Sequence, residues 1–357
     1  MSFALTQLLV FTSTVFALLI LNTQRAALSR RGAQHLNARQ ASHTLPTPRI
    51  GGLAISVGVL SGALLSGSAV FSMLLWTTLP LFLVGLVEDL GPHTSPRLRL
   101  SLAALSSVLA IIILDVHIDR AGIPFLDPIF AVAAVGIAVT VFVSSGFTHA
   151  MNLVDGLNGL SGAIVIMIVT AFAALSYEFG HADLVALNLT ILSSFFAFMV
   201  WNFPSGKIFL GDAGAYSAGH IIAWNGIILM YREPAISPWA ILLIVIWPVL
   251  ETVFSMLRRA AQRQSMAHPD RMHFHHVVMR LTSIADPSLG IATSNPLASV
   301  LVWPLAAIPC ALGVAYVRDV AVSAAMVAAF AACYVLVYVM LVKISPRLRR
   351  ITQRARS

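Results

Sequence analysis

Long apolar runs, each about as long as a membrane-spanning helix, dominate the chain. Taking roughly 20 residues as the length that crosses a bilayer, we identify eleven candidate spans in the sequence. They cover residues 3–22, 50–68, 71–87, 98–114, 128–147, 160–176, 183–202, 214–231, 237–257, 297–316 and 320–342. Because a chain in lipid must satisfy its own backbone hydrogen bonds, such runs form helices. The pattern predicts an all-α polytopic membrane protein with about 11 transmembrane helices (10–11).

Composition supports this prediction and excludes other classes. Of the 357 residues, 58% are hydrophobic and only 10% are charged, and the mean hydropathy is +0.88. A soluble domain carries about 25% charged residues, so this inventory cannot cover a water-facing surface. Cys310 and Cys333 lie in apolar runs, which predicts neither a disulfide framework nor a cysteine metal site.

The distribution of basic residues predicts the orientation. The first span lacks a basic segment before it and a cleavage site after it, and Arg25, Arg30 and Arg31 follow it, so we expect a retained helix with the N-terminus outside. In that orientation 19 of the 22 Lys and Arg residues face the cytoplasm, as does the C-terminus. We predict one membrane domain over 1–342 and a basic cytoplasmic tail over 343–357 that faces anionic lipid rather than nucleic acid.

Most of the chemically interesting residues fall in five loops on the predicted cytoplasmic face. These loops cover residues 43–52, 88–99, 149–159, 207–214 and 268–280. The loops on the opposite face are short, and we expect no dense polar group there. A secondary transporter more often places its charges near the middle of the bilayer. The pattern favours an active site built from cytoplasmic loops.

The acidic pair Glu88-Asp89 ends the third span. Adjacent carboxylates at a membrane boundary are costly unless they are paired, metal-bound or solvated. Arg97 and Arg99 follow within the same loop and are suited to phosphate recognition. They favour a phosphate or Mg²⁺ site over simple solvation at the interface.

The Asn152–Gly159 loop carries polar residues at intervals of three. A single helical turn would place Asn152, Asp155 and Asn158 on one face. Their oxygen atoms suit Mg²⁺, and an Asn amide presents both a donor and an acceptor to a nucleobase. The alternative is a helix-ending turn with no ligand.

Two further loops suit phosphate chemistry. Lys207 precedes a short glycine-flanked loop that contains Asp212, a candidate Mg²⁺ ligand. The last loop holds His268, Arg271, His273, His275 and His276. Binding of phosphate oxygens by these side chains is favoured over a zinc site, because the arginine disfavours a cation there.

In order, these loops resemble those of the polyprenyl-phosphate N-acetylhexosamine-1-phosphate transferases (glycosyltransferase family 4), in particular the branch that uses N-acetylglucosamine. The motifs that carry the resemblance are Pro48-Arg-Ile-Gly-Gly52, Glu88-Asp89, Asn152-Leu-Val-Asp-Gly-Leu-Asn-Gly159, Lys207-Ile-Phe-Leu-Gly-Asp-Ala-Gly214 and Pro269-Asp-Arg-Met-His-Phe-His-His276. The resemblance implies transfer of a sugar 1-phosphate from a UDP-N-acetylhexosamine to undecaprenyl phosphate, with release of UMP. It further implies Mg²⁺ (or Mn²⁺) as cofactor, the bacterial inner membrane as location, and a homodimer.

The resemblance also assigns roles to residues. Asn152 and Asp212 would bind Mg²⁺, and Asp212 would take part in catalysis with Glu88 and Asp89, of which Asp89 is favoured to orient the acceptor. The nucleotide pocket would be formed by His149, Asp155 and Asn158. The phosphates would be bound by Lys207, Arg271, His273, His275 and His276.

Departures from the family pattern bear on the pathway. The histidines of the last loop are separated, unlike the uninterrupted triplet of the phospho-MurNAc-pentapeptide transferases. Initiation of a surface polysaccharide such as O-antigen is therefore favoured over peptidoglycan synthesis, and the sugar stays open. A secondary transporter and an inactive membrane scaffold are the alternatives from other classes.

Overall fold

A computed structural model describes residues 3–23, 47–264, 270 and 272–354, and within these ranges the chain forms helices and no strands. The helices are α1 (Phe3–Thr23), α2 (Gly51–Ser66), α3 (Ala69–Asp89), α4 (Pro96–Leu114), α5 (Asp127–Phe130), α6 (Ala133–Val154), α7 (Leu160–Glu178), α8 (Ala182–Asn202), α9 (Gly211–Arg232), α10 (Pro238–Ile244), α11 (Ile246–Ala261), α12 (Phe274–Ala285), α13 (Ile291–Ala315) and α14 (Val320–Arg354).

Within the described ranges, eight helices are long and apolar enough to cross a membrane, and the pair α10–α11, bent by 82°, raises the number to nine. The all-α polytopic prediction is confirmed. Each of the eleven predicted spans contains a helix, but α2 is short for a span at 16 residues, and α9 is not among the strongly apolar helices. The exact number of spans and the orientation of the termini stay predictions. So does the domain boundary after residue 342, which α14 crosses without a break.

The polar helix α9 lies at the centre of the bundle. It packs against α2, α3, α6 and α7, and nearly all of its residues are buried. Two neighbouring helices approach its backbone through glycine, because a Cβ at Gly52 or Gly85 would collide with the backbone of Gly214 or Ala213. Protein rather than lipid surrounds α9, so it tolerates polar residues that an outer span would not.

At the end of the bundle away from the start of α9, ion pairs clamp the helices together. Arg232 contacts Asp183 through two nitrogen–oxygen pairs, each 2.9 Å long, and His181 Nε2 lies 2.8 Å from Glu233 Oε1. Arg120 donates to the carbonyl oxygens that end α9. The expectation that this end holds no dense polar group is therefore wrong, since residues distant in sequence assemble one.

Candidate functional site

A short backbone pairing brings the loop before α2 to the start of α9. Three backbone hydrogen bonds of 2.8–3.0 Å join residues 48–52 to residues 209–210. The pairing fixes the loop before α2 alongside the loop before α9. It thereby places Arg49 beside Asp212, although 163 positions separate them in the chain.

Asp89, from the end of α3, caps the start of α9. Its Oδ1 accepts from the backbone N–H of Asp212 at 2.8 Å, and its Oδ2 accepts from that of Ala213 at 2.9 Å. Gly211 has a left-handed φ of 77°, and a Cβ there would lie 2.5 Å from Asp89 Oδ2. A carboxylate at a helix start satisfies free N–H groups and complements the helix dipole. The second half of the loop predicted over residues 207–214 is thus the first turn of α9, which begins at Gly211.

Asp212 lies at the centre of a cluster with Arg49, Arg99 and Asn152, which we call the hub. Its Oδ1 lies 2.5 Å from Arg49 Nη2 and 3.1 Å from Asn152 Nδ2, and its Oδ2 lies 3.4 Å from Arg99 Nη1. The Asp212 side chain is only 6% exposed, so these donors compensate a nearly buried charge. Burial opposes ionisation of Arg49, but the carboxylates of Asp212 and Asp89 raise the pKa of its guanidinium above the ordinary value.

Glu88 turns away from this hub toward its own loop. Its Oε2 accepts from both the backbone N–H and the hydroxyl of Thr94, each at 2.6 Å, and its Oε1 lies 4.0 Å from Arg99 Nη1. Ser95 then caps α4 by accepting from the backbone of Leu98 at 3.2 Å. Glu88 therefore orders the loop that places Arg99 beside Asp212.

The Asn152–Gly159 loop does not form the single helical face that its spacing suggested. Helix α6 ends at Val154, so Asn152 faces Asp212 while Asp155 lies in the turn beyond, where its Oδ1 accepts from Ser161 Oγ at 2.6 Å. Removal of its carboxylate from water raises the pKa of Asp155, against the effect of this hydrogen bond.

Asn158 packs the loops together. Its backbone N–H donates to Asn295 Oδ1, and its Nδ2 donates to the carbonyl of Pro204, both at 2.8 Å. It lies too deep to share a surface with Asn152, and the prediction that the two residues face one way is wrong. The reason is the turn after Val154, which reverses the direction of the chain.

His149 and Lys207 border the hub without contacting it directly. The His149 ring lies edge-on to Tyr216, with centroids 5.3 Å apart, one turn of α6 before Asn152. Lys207 is exposed, and its Nζ lies 5.8 Å from the centre of the Trp201 ring.

Glu251 of α11 contacts the segment that carries His273, His275 and His276, which we call the histidine loop. His273, His275 and His276 lie at the start of α12, and Arg271 is outside the described residues. Burial, together with the neighbouring histidines, lowers the pKa of His276 to about 2. A neutral His276 offers its ring as a hydrogen-bond donor or acceptor rather than as a cation.

Three residues shape this site through contacts that their motifs do not predict. Arg49 lies within a quoted motif and Arg99 within a basic run, but their shared partner Asp212 emerges only in the folded chain. Glu251 faces His273 and His275, whereas Arg258 pairs with Asp270. An intramembrane acid is the signal that marks such a residue.

The donor set at the hub fits Mg²⁺. Within the described part of the chain, no group of three or more His, Cys, Asp or Glu residues is arranged to hold a metal, which also gives no support to a zinc site among the described histidines. Mg²⁺ is usually held by one or two carboxylates together with water and substrate phosphates. Asp212 and Asn152, in contact through Oδ1 and Nδ2, offer a carboxylate and an amide oxygen for that arrangement.

Comparison with known proteins agrees with this architecture. The model of glycosyl transferase family 4 matches residues 71–230. The chain is 29% identical over 252 residues to the probable undecaprenyl-phosphate N-acetylglucosaminyl 1-phosphate transferase of Bacillus subtilis (strain 168), a match that covers 70% of each protein. It is 28% identical over 239 residues to the undecaprenyl-phosphate alpha-N-acetylglucosaminyl 1-phosphate transferase of Thermotoga maritima, covering 67% of this chain and 70% of that protein. It is 26% identical over 300 residues to the decaprenyl-phosphate N-acetylglucosaminephosphotransferase of Mycolicibacterium smegmatis, covering 72% and 71%.

Fold and site define a polytopic α-helical membrane protein whose charged loop residues converge at one end of its bundle. The segment matched by the family model runs from α3 to α9 and contains Glu88, Asp89, Asn152 and Asp212. The chain is thus similar to glycosyl transferase family 4 over residues 71–230, and to relatives that are named as polyprenyl-phosphate N-acetylglucosamine-1-phosphate transferases.

Proposed function

We propose that this protein transfers an N-acetylhexosamine 1-phosphate from a UDP-N-acetylhexosamine to undecaprenyl phosphate and releases UMP. The observation that carries the proposal is the convergence of Arg49, Arg99 and Asn152 on the nearly buried carboxylate of Asp212. Such a concentration of fixed charge suits phosphoryl transfer, in which positioning and neutralisation of charge supply most of the catalysis. Relatives are named for this reaction.

In the reaction, an oxygen of the acceptor phosphate forms a bond to the phosphorus that carries the sugar. The bond from that phosphorus to the bridging oxygen breaks, and UMP leaves with the electron pair. A phosphate monoester has a second pKa of about 6, so the acceptor is already mostly dianionic at neutral pH. A general base is not required.

The residues in and around the hub have different roles in this proposal. Arg49 and Arg99 have 28% and 22% of their side chains exposed. Arg49 approaches the site from the loop before α2 and Arg99 from the first turn of α4, and both can contact phosphate oxygens. When bound at Asn152 and Asp212, Mg²⁺ (or Mn²⁺) would neutralise charge on the donor diphosphate. Asp89 positions Asp212 by capping α9, and Glu88 positions Arg99 through Thr94.

We further propose the setting of the reaction. The distribution of basic residues supports a site on the cytoplasmic side of the bacterial inner membrane, where a UDP-sugar arrives from solution and the acceptor from the bilayer. N-acetylglucosamine is the first sugar to test, because the relatives are named for it. The separated histidines support initiation of a surface polysaccharide such as O-antigen, and a homodimer stays a prediction.

The test is a detergent assay of the purified full chain with undecaprenyl phosphate, Mg²⁺ and a panel of UDP-N-acetylhexosamines, scoring both UMP and lipid-linked sugar phosphate. We expect equal amounts of the two products, and none in the presence of EDTA. Asp212→Asn should abolish both. Asp115→Asn, an exposed aspartate at the opposite end of the bundle, should behave as wild type. If folded wild-type protein with lipid acceptor forms neither product with any UDP-N-acetylhexosamine tested, the proposal is wrong.

A further inference from the structure

Glu251 is a buried carboxylate that lies just beyond the bend between α10 and α11. Its side chain is 1% exposed, yet nitrogen atoms from the histidine loop surround it. Oε2 accepts from the backbone N–H of Phe274 at 3.2 Å and faces His273 Nδ1 at 3.3 Å. Oε1 accepts from the backbone N–H of His275 at 3.3 Å and faces His275 Nδ1 at 3.1 Å. One side chain thereby fixes the start of α12.

His275 links the start of α12 to a second loop, Asn152–Gly159. Its side chain is fully buried, and its Nδ1, opposite a carboxylate, carries the proton that Glu251 accepts. Its other ring nitrogen, Nε2, has no hydrogen-bond partner among the described residues. That nitrogen points at the Asn152–Gly159 loop, where a Cβ on Gly156 would lie 2.7 Å from it. Only glycine leaves room for the ring at this position.

We propose that Glu251 is a positioning residue of the transferase, which acts by fixing the His275 ring against Gly156. Contact between the ring and the glycine sets the distance between the two loops that bind the donor. One loop carries Asn152 and Asp155, and the other carries the partly exposed His276. The inference rests on the proposed function, because the two loops matter together only if one ligand contacts both.

This arrangement separates the histidines by role. His275 is withdrawn from solvent and therefore does not itself contact a phosphate. His276 packs against it with ring centroids 4.4 Å apart and retains partial exposure. Nothing in the sequence distinguishes these histidines. In the structure, His275 separates the two loops, whereas His276 stays available to the ligand.

The experiment is a comparison of Glu251→Gln with wild type, measuring kcat and the KM values for UDP-sugar and undecaprenyl phosphate separately. Glutamine keeps the shape but sets an NH₂ group against nitrogen donors, so the His275 ring loses its fixed position. We expect the KM for UDP-sugar to rise about tenfold, the range of one charged hydrogen bond, with the KM for lipid changed less than twofold. A purely structural role would reduce the yield of folded enzyme and leave both KM values unchanged.

Two further variants keep the inference falsifiable. Gly156→Ala leaves the Glu251 carboxylate unchanged but pushes the His275 ring away from the loop, and should raise the same KM even if Glu251→Gln does not fold. The double variant should be no worse than the more severe single one, since both changes break one linkage. Glu233→Gln is the matched control, because Glu233 also pairs with a histidine, His181, but at the other end of the bundle.

The outcomes separate the inference from the function on which it rests. If wild type turns over and Glu251→Gln folds with both KM values unchanged, the positioning role is wrong and the transferase stands. Full additivity of Glu251→Gln and Gly156→Ala would contradict the linkage as well. If wild type itself shows no turnover, the proposed function fails and the inference falls with it.

Discussion

Asp89 and Glu251 are buried carboxylates from different helices that perform the same structural task at two places. Asp89 accepts from the first backbone N–H groups of α9, and Glu251 accepts from those of α12. Each holds in place a segment that carries candidate ligand-binding residues. In both cases a carboxylate near the membrane boundary is satisfied by a helix start rather than by solvent.

The two carboxylates differ in their counter-charges. Asp89 lies 3.5 Å from Nε of Arg49, which is always protonated. Glu251 instead faces His273 and His275, whose ring nitrogens can donate or accept a hydrogen bond. The arginines therefore keep a fixed positive charge at the hub around Asp212, whereas the histidine loop is held by directed hydrogen bonds. This difference predicts that damage at the hub lowers kcat, while damage at the histidine loop raises the KM of the donor.

Among the variants that test this comparison, we expect Asp89→Asn to lower activity most. Its NH₂ group would oppose one of the two N–H groups at the start of α9, so Asp212 would leave its place beside Asn152. We expect kcat to fall by about 10²–10³-fold, the range for losing a preorganised charge contact, with a small change in the donor KM. Steady-state kinetics of the purified variant measure both, and an increase in KM alone would contradict the distinction drawn between hub and histidine loop.

Arg49→Lys tests whether a constant charge is sufficient. Lysine keeps the positive charge but cannot reach Asp89 and Asp212 at once, as the guanidinium does through Nε and Nη2. We expect kcat to fall about tenfold, equivalent to one charge-assisted hydrogen bond, while Arg49→Gln falls further. Arg97→Lys is the matched control, because Arg97 lies in the first turn of α4, at the same end of the bundle, but is exposed. Equal activity of Arg49→Lys and wild type would show that geometry at this position is unimportant.

The extent to which the sequence predicts this molecule follows from the range of each interaction. Apolar runs predict the helices because hydropathy and backbone satisfaction are local properties. The acidic pair and Asp212 could be proposed from their motifs. The capping of α9 by Asp89 could not, since it joins positions 123 apart.

The missed and mistaken predictions have the same origin. Asn152 and Asn158 have helical spacing, but α6 ends between them and Asn158 finds Asn295, a partner 137 positions away. Glu251 could be singled out as a buried acid, yet its four nitrogen neighbours come from a loop that follows a bend in the chain. Local pattern indicates which residues are unusual, and tertiary contact decides what they hold.

Asp155→Asn separates an effect on the stability of the fold from an effect on donor binding. The raised pKa of Asp155 means that the folded state disfavours its charge, so its contribution to stability is present below the unfolded pKa of about 3.9 and is lost as pH rises through the folded pKa. Asparagine can still accept from Ser161. We expect the variant to be more stable than wild type by about 1 kcal/mol at pH 7, with the advantage shrinking toward pH 4, while the donor KM rises about threefold. Thermal unfolding across that pH range and donor titration measure the two effects, and a variant less stable than wild type at pH 7 would contradict the argument.

The smallest expected effect is at Asp270, which supports the histidine loop from outside the membrane segments. Burial opposes its charge, but the backbone N–H of Met272, the hydroxyl of Ser255 and the guanidinium of Arg258 hold the pKa of Asp270 below its usual value. A lowered pKa gives stability that is fully present above the unfolded value of about 3.9 and disappears as pH falls through the folded value. Asp270→Asn should therefore cost about 1 kcal/mol at pH 7, and this cost should shrink as the pH falls through the folded pKa, because Arg258 keeps its contacts to Met272 and Tyr338. Convergence of the two unfolding curves on acidification would place this carboxylate with Glu251 as a support of the loop, whereas a constant gap would assign the loss to packing.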